Sequence, residues 1–255
     1  MHDAFPRHGA PALLIRALDK RYGAQPVLDG IDLEVPAGAA FGLVGANGAG
    51  KTTLLKCALD LCGADGGSIE IFGVPHTEPR ARARLAFIPE RFVPPHYLTG
   101  REFIELMRSL DHDAYDTLRV SSLLDEIELE VAALARPVRQ LSKGMTQKLG
   151  LASCFLAERD LYILDEPMSG LDPGSRVAVK SVLGRMMREG RTLFFTSHVL
   201  ADVEEICTAI AVIAGGRTRF SGPPDELCAQ YSEPNLERAF IRCIRSDGHA
   251  SANRS

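Results

Sequence analysis

No segment of this 255-residue chain approaches the roughly 18 consecutive apolar residues that a bilayer crossing requires. The first ten residues carry Asp3, Pro6 and Arg7 where a signal peptide needs an apolar core, so a chain that neither spans a membrane nor is exported is expected. The six cysteines, Cys57, Cys62, Cys154, Cys207, Cys228 and Cys243, offer no C-x-x-C spacing. Most sit inside apolar segments, as small hydrophobes do in a reducing, cytosolic compartment. There is no long run of one charge either. Lys and Arg number 29 against 33 Asp and Glu, a net charge of -4, which is not the footprint of a protein whose main partner is nucleic acid. The length admits one large domain, or a core with a small insertion, but not two full nucleotide domains. The polar, small-residue tail from Ser246 to Ser255 is expected to be disordered and is assigned no role.

What is present is concentrated in one motif. The apolar run Ala39 to Val44 leads into Gly45-Ala46-Asn47-Gly48-Ala49-Gly50-Lys51-Thr52-Thr53, which fits G-x-x-x-x-G-K-[ST]. Glycines let successive backbone N–H groups face a phosphate, and the helix that follows presents its positive end to the same anion. Lys51 supplies a point charge to the β and γ phosphates, and the Thr52 hydroxyl suits Mg²⁺. A nucleoside triphosphate is therefore the expected ligand. No N-K-x-D sequence is present to read guanine.

The alternation in Ile31 to Val35 and in Ser68 to Phe72 reads as half-exposed strands, an antiparallel flank. Ala39 to Val44, Leu85 to Ile88, Leu161 to Leu164 and Leu193 to Thr196 are continuous apolar runs, as parallel strands covered on both faces require. Helical periodicity replaces them between Thr99 and Glu158, opening on a capping box at Thr99 and Glu102. An α/β fold is expected, with a mostly parallel core sheet, an antiparallel flank and an inserted all-helical subdomain. A helix is expected from Pro173 to Arg188, and a last amphipathic segment near Pro234 with Leu236, Phe240 and Ile244 on one face.

Asp165 and Glu166 end the buried run Leu161 to Leu164, at the sheet edge where open α/β folds bind ligands. Asp165 suits the Mg²⁺ shell. Strand alternation turns Glu166 another way, so that it can take a proton from a water attacking the γ phosphate. Thr196-Ser197-His198 brings an imidazole to that edge. Leu141-Ser142-Lys143-Gly144-Met145 precedes a helical run from Thr146 to Leu156, with Ser142 as N-cap, and makes a second candidate anion site. Tyr22, ahead of Gly23, can stack on a base.

In this order, Tyr22, Gly45 to Thr53, Leu141 to Met145, Leu161 to Glu166, Ser169 to Asp172 and His198 resemble the nucleotide-binding domain of ABC transporters, over about Leu13 to Gly222. The resemblance implies a P-loop ATPase whose cofactors are ATP and Mg²⁺. Tyr22 would stack on adenine, and Gly45, Asn47, Gly48, Gly50, Lys51, Thr52 and Thr53 would hold phosphates. Asp165 would be the Walker B aspartate, Glu166 the catalytic base and His198 the switch histidine. Ser142 and Gly144 would act on ATP held by a second ATP-binding subunit, so that a head-to-tail dimer, most simply a homodimer, encloses two nucleotides. Two motifs depart from the family pattern. Lys143 and Met145 stand in L-S-K-G-M where L-S-G-G-Q is usual, and Glu90 in Ile88-Pro89-Glu90 replaces the usual glutamine. Glu90 retains an oxygen for Mg²⁺ but adds negative charge. Both variants are similar to ATP-binding subunits of bacterial ABC-2 type exporters.

That resemblance implies an α/β core over residues 12–90 and 158–222, a helical subdomain over 91–157 and a C-terminal extension over 223–255. It also implies a polytopic membrane permease as partner, placing the chain at the cytoplasmic face of the membrane, with no nucleic acid expected. The segment Arg91 to Leu98 is apolar enough to help form a docking groove. The alternative is a soluble ABC-type ATPase acting on ribosomes or DNA. Such proteins usually carry two domains or long coiled coils, and this sequence shows neither.

Overall fold

The computed structural model describes residues 9–245. The expectation for Ser246 to Ser255, and the signal-peptide argument over residues 1–8, lie outside them. Two sheets are built in chain order. Strands β1 (Leu13–Tyr22) and β2 (Gln25–Val35) pair antiparallel, and β3 (Ala40–Gly45) runs into α1 (Lys51–Ala58). There follow β4 (Gly66–Ile71), β5 (Val74–Pro75), the single turn α2 (Pro79–Arg82) and β6 (Leu85–Ile88). Helices α3 (Gly100–Leu110), α4 (Thr117–Glu126) and α5 (Lys143–Leu156) come next, with two short 3₁₀ turns before α5. The chain returns through β7 (Leu161–Asp165), α6 (Pro173–Arg188), β8 (Thr192–Thr196), α7 (Leu200–Ile206), β9 (Ala209–Ala214) and β10 (Arg217–Gly222). It ends in α8 (Pro224–Tyr231) and α9 (Leu236–Arg245).

The flank is a four-stranded sheet ordered β2-β1-β4-β5, antiparallel throughout. In β2, Ile31, Leu33 and Val35 are buried while Asp32 and Glu34 are exposed, the alternation its sequence shows. The second sheet is ordered β10-β9-β3-β8-β7-β6, parallel except where β10 returns along β9. Strands β7 and β8 are buried at every position, so both faces are covered and continuous apolar runs are what they need. Strand β6 departs from that expectation. As an edge strand it buries Ala86 and Ile88 and leaves Leu85 and Phe87 half-buried.

Between β6 and β7 lie helices α3 to α5. The capping box is present: Thr99 Oγ accepts from the Glu102 N–H, and Glu102 accepts from the Thr99 N–H at 2.7 Å. Helix α9 buries Leu236, Ala239 and Cys243, with Phe240 and Ile244 packed beside them, so its apolar face is wider than the three residues the sequence singles out. Among the described residues no helix is long and apolar enough to cross a membrane.

Candidate functional site

Strand β3 is central in its sheet, so the loop after it opens at the carboxyl edge between β9 and β8. Gly45 must be glycine, because a Cβ there would lie 2.6 Å from the Ile213 carbonyl oxygen of β9. Gly50 caps α1 at φ 107°, a left-handed conformation, with Val27 and Leu28 closing the space a side chain would take. No side chain caps this helix and no acidic residue occupies its first turn. Its leading N–H groups are thus left for an anion.

Asn47, Gly48, Gly50, Lys51, Thr52 and Thr53 line one cleft of about 620 Å³, a size suited to a small organic ligand. The opposite wall is Glu90, Asp165, Glu166 and His198. Lys51 Nζ donates to the carbonyls of Gly45 at 2.6 Å and Ala46 at 3.2 Å. Burial holds its pKa below the ordinary lysine value, while Glu166, Asp165 and Glu90 pull the other way.

Asp165 is the last residue of β7 and is buried. Thr196, its register partner on β8, donates its hydroxyl to Asp165 Oδ1 at 2.6 Å. The same hydroxyl oxygen accepts from the Glu166 backbone N–H at 3.0 Å. Burial raises the Asp165 carboxyl above the usual aspartate range; the Thr196 bond opposes that and the Glu90 charge adds to it. Glu166 is not turned by strand alternation, as its sequence position suggests. The strand has ended, and Glu166 takes φ 50°, a left-handed conformation that redirects its side chain. Its carboxylate meets His198 Nδ1 at 2.7 Å. A non-glycine residue held at positive φ costs energy and is characteristic of functional sites.

Thr52, Glu90 and Asp165, the three residues expected to serve Mg²⁺, all reach this cleft and offer hard oxygen donors, which fits that ion. Among the described residues no three His, Cys, Asp or Glu side chains form a metal cage. An ion here would complete its shell with phosphate oxygens and water.

Four expected residues do not line the cleft; one of them, Gly45, ends β3 and touches the site only through its carbonyl, which accepts from Lys51. Tyr22 ends β1 half-exposed, with the Lys20 ammonium 5.5 Å from its ring centroid. Ser142 and Gly144 lie elsewhere, at the start of α5. That helix begins at Lys143, three residues before the periodic run the sequence shows, with Ser142 Oγ accepting from the Met145 N–H. The Gly144 backbone packs on the loop Ser169 to Asp172, where a Cβ on Gly144 would come within 3.2 Å of the Gly170 carbonyl oxygen.

Two contributors escape the sequence reading. Thr196 reads as the end of an apolar strand, although a hydroxyl closing such a run is a signal. Gln147, buried in α5, donates to the Pro167 carbonyl at 3.0 Å and ties that helix to the turn after Glu166. Nothing local distinguishes it from other helix glutamines.

The chain matches the family model described as ABC transporter over residues 28–169. It is 40% identical over 213 residues to an uncharacterized ABC transporter ATP-binding protein of Nostoc sp., covering 82% of this chain and 64% of that protein. It therefore spans less than two thirds of that relative's length. It is 35% identical to the Nod factor export ATP-binding protein I of Ralstonia nicotianae, over 85% of this chain and 68% of that one. A solved structure titled as the ATP binding subunit of an ABC transporter superposes with a TM-score of 0.83 at 30% identity, covering 91% of this chain and 99% of that chain. With the loop, the buried aspartate and the sheet order already in place, these matches show that the chain belongs to the ABC transporter family, among its ATP-binding proteins.

Proposed function

We propose that this chain binds and hydrolyses ATP as half of a head-to-tail dimer and drives export through a separate polytopic membrane subunit. The observation that carries this is the separation of two phosphate-binding elements. Lys51, Asp165, Glu166 and His198 share one cleft, while Ser142 and Gly144 lie outside it and need a second copy to reach a nucleotide. In the proposed reaction the γ phosphate draws Lys51 away from the carbonyls of Gly45 and Ala46, and the N–H groups of α1 hold its oxygens. Glu166, oriented by His198, accepts the proton of the attacking water. Mg²⁺, when bound through Thr52, Asp165 and Glu90, supplies charge neutralisation of the phosphates. Tyr22 is proposed to close on adenine.

The export direction is supported by the Nod factor export relative. Residues 91–157 form the proposed helical subdomain, and the exposed Val93 and Tyr97 on it are proposed to meet the membrane subunit at the cytoplasmic face. Glu166→Gln tests the core of the proposal. It should lower turnover by at least about 100-fold, as loss of a general base does, and ATP should then convert monomer to dimer in light scattering. Wild-type turnover in the variant would remove Glu166 from the role of base. Affinity purification from membranes should recover a polytopic protein; ribosomes or DNA in its place would favour the soluble alternative.

A further inference from the structure

Two of the three residues that depart from the family pattern, Lys143 and Glu90, carry opposite charge. Among the described residues the Lys143 ammonium has no hydrogen-bond or ion-pair partner, and neither has the Glu90 carboxylate. Lys143 is exposed but not loose. Its stem lies along Gly170, where a Cβ would come within 3.0 Å of Lys143 Cε and 3.2 Å of Cδ, and Gly170 itself sits at φ 77°. The lysine is thus laid across the loop Ser169 to Asp172, and it lines neither the nucleotide cleft nor the smaller pocket beside Glu166 and His198.

The cleft has the complementary deficit. Glu90, Asp165 and Glu166 face Lys51 as its only lysine or arginine, so a triphosphate enters a site already short of positive charge. A glutamine at position 90 would lessen that shortage; the glutamate deepens it. Resting on the head-to-tail dimer proposed above, the geometry points to Lys143 as a cross-interface charge partner. Its ammonium enters the second copy's cleft beside Glu90 and the γ phosphate and supplies a second side-chain cation where Lys51 is the first. Placed there it offsets the charge by which Glu90 exceeds the usual glutamine, beyond what Mg²⁺ neutralises, so closing the dimer relieves the repulsion that Glu90 adds. Lys143 is a positioning and charge-neutralising residue for the nucleotide; it takes no proton.

A double-mutant cycle in the Glu166→Gln protein tests this, with MgATP-dependent dimerisation read by sedimentation equilibrium. Lys143→Gln should weaken dimerisation about 100-fold or more with Glu90 intact, because the symmetric dimer loses a close interfacial charge pair twice. With Glu90→Gln present the same substitution should cost distinctly less, and the Lys143→Glu, Glu90→Lys exchange should recover part of the loss from Lys143→Glu alone. Melting temperature should not change, since Lys143 is exposed and unpaired. Dimerisation that persists unaltered in Lys143→Gln, or that weakens equally in both backgrounds, overturns the pairing while leaving the dimer standing. A Glu166→Gln protein that stays monomeric with MgATP overturns both.

Discussion

Asp165 is a buried carboxylate, and Lys51, the lysine that shares its cleft, is engaged with loop carbonyls. Its folded-state pKa is raised by burial, so between the unfolded and folded values the native state binds more proton than the unfolded chain. Its ionisation therefore costs stability, a cost absent below the ordinary aspartate range near about 4 and growing as pH rises through the folded pKa. Asp165→Asn keeps an oxygen for the Thr196 hydroxyl and removes the charge. In nucleotide-free protein it should raise the melting temperature at pH 7 by a few degrees, with the gain closing toward pH 4. A lower melting temperature at pH 7 would mean that the ionised form is held favourably. Thr196→Val acts in the opposite direction. It strips Asp165 of the bond that lowers its pKa and leaves the Glu166 N–H without its acceptor. A loss of about 1–3 kcal/mol is expected for the buried polar group left unpaired, together with an acid limb of the ATPase pH profile displaced to higher pH. At this scale the sequence placed the two carboxylates at the sheet edge, because Asp165-Glu166 closes a buried apolar run, and both line the cleft beside Lys51. It did not disclose how they diverge: positive φ at Glu166 is imposed by the turn beyond β7, a constraint that residue type does not signal.

Elements were legible where one local rule governs them. The capping box at Thr99, the alternation of β2 and the helix from Pro173 to Arg188 each rest on neighbours within a few residues. Strand β9 went unread although Ala209 to Ala214 is apolar and the pair Gly215-Gly216 follows, and it proves to flank β3 in the middle of the sheet. Five alanine and isoleucine residues among six fit helix and strand alike, so pairing with β3 decides. Gly150 shows the same dependence on tertiary contacts. It lies inside α5, where alanine would favour the helix by about 1 kcal/mol. Yet a Cβ there would stand 2.7 Å from Phe92 Cδ1 and 2.9 Å from Ile88 Cδ1, and the Phe92 ring is wedged edge-on against Phe103 at 5.6 Å. Overpacking of this kind costs about 1–3 kcal/mol, so crowding outweighs propensity. Gly150→Ala should shift the urea midpoint downward without changing the m-value; an upward shift would show that Phe92 yields freely.

Across the whole molecule, the segment after Glu90 is where an outside force would enter. Phe92 and Pro94 turn inward, whereas Val93 is 77% exposed and Tyr97 70%, so the apolar stretch noted in the sequence divides into an anchor and an outer face. The anchor continues through the backbone. Val138 N–H donates to the Leu98 carbonyl at 2.8 Å, Arg139 N–H to that of His96 and Gly100 N–H to that of Arg136. Residues 136–139 then lead directly to Ser142 at the start of α5, and Gln147 of that helix holds the turn behind Glu166. A continuous path of hydrogen-bonded backbone and one buried amide therefore joins the segment bearing Val93 and Tyr97 to the two elements proposed to bind phosphate. Val93→Asp with Tyr97→Asp tests the outer end of this chain of contacts. Both side chains face solvent, so stability should stay within about 0.5 kcal/mol per site. Two carboxylates on the proposed docking face would have to be desolvated without partners, which should abolish co-purification with the proposed membrane subunit. Undiminished recovery of that subunit would place its docking surface elsewhere on α3 to α5.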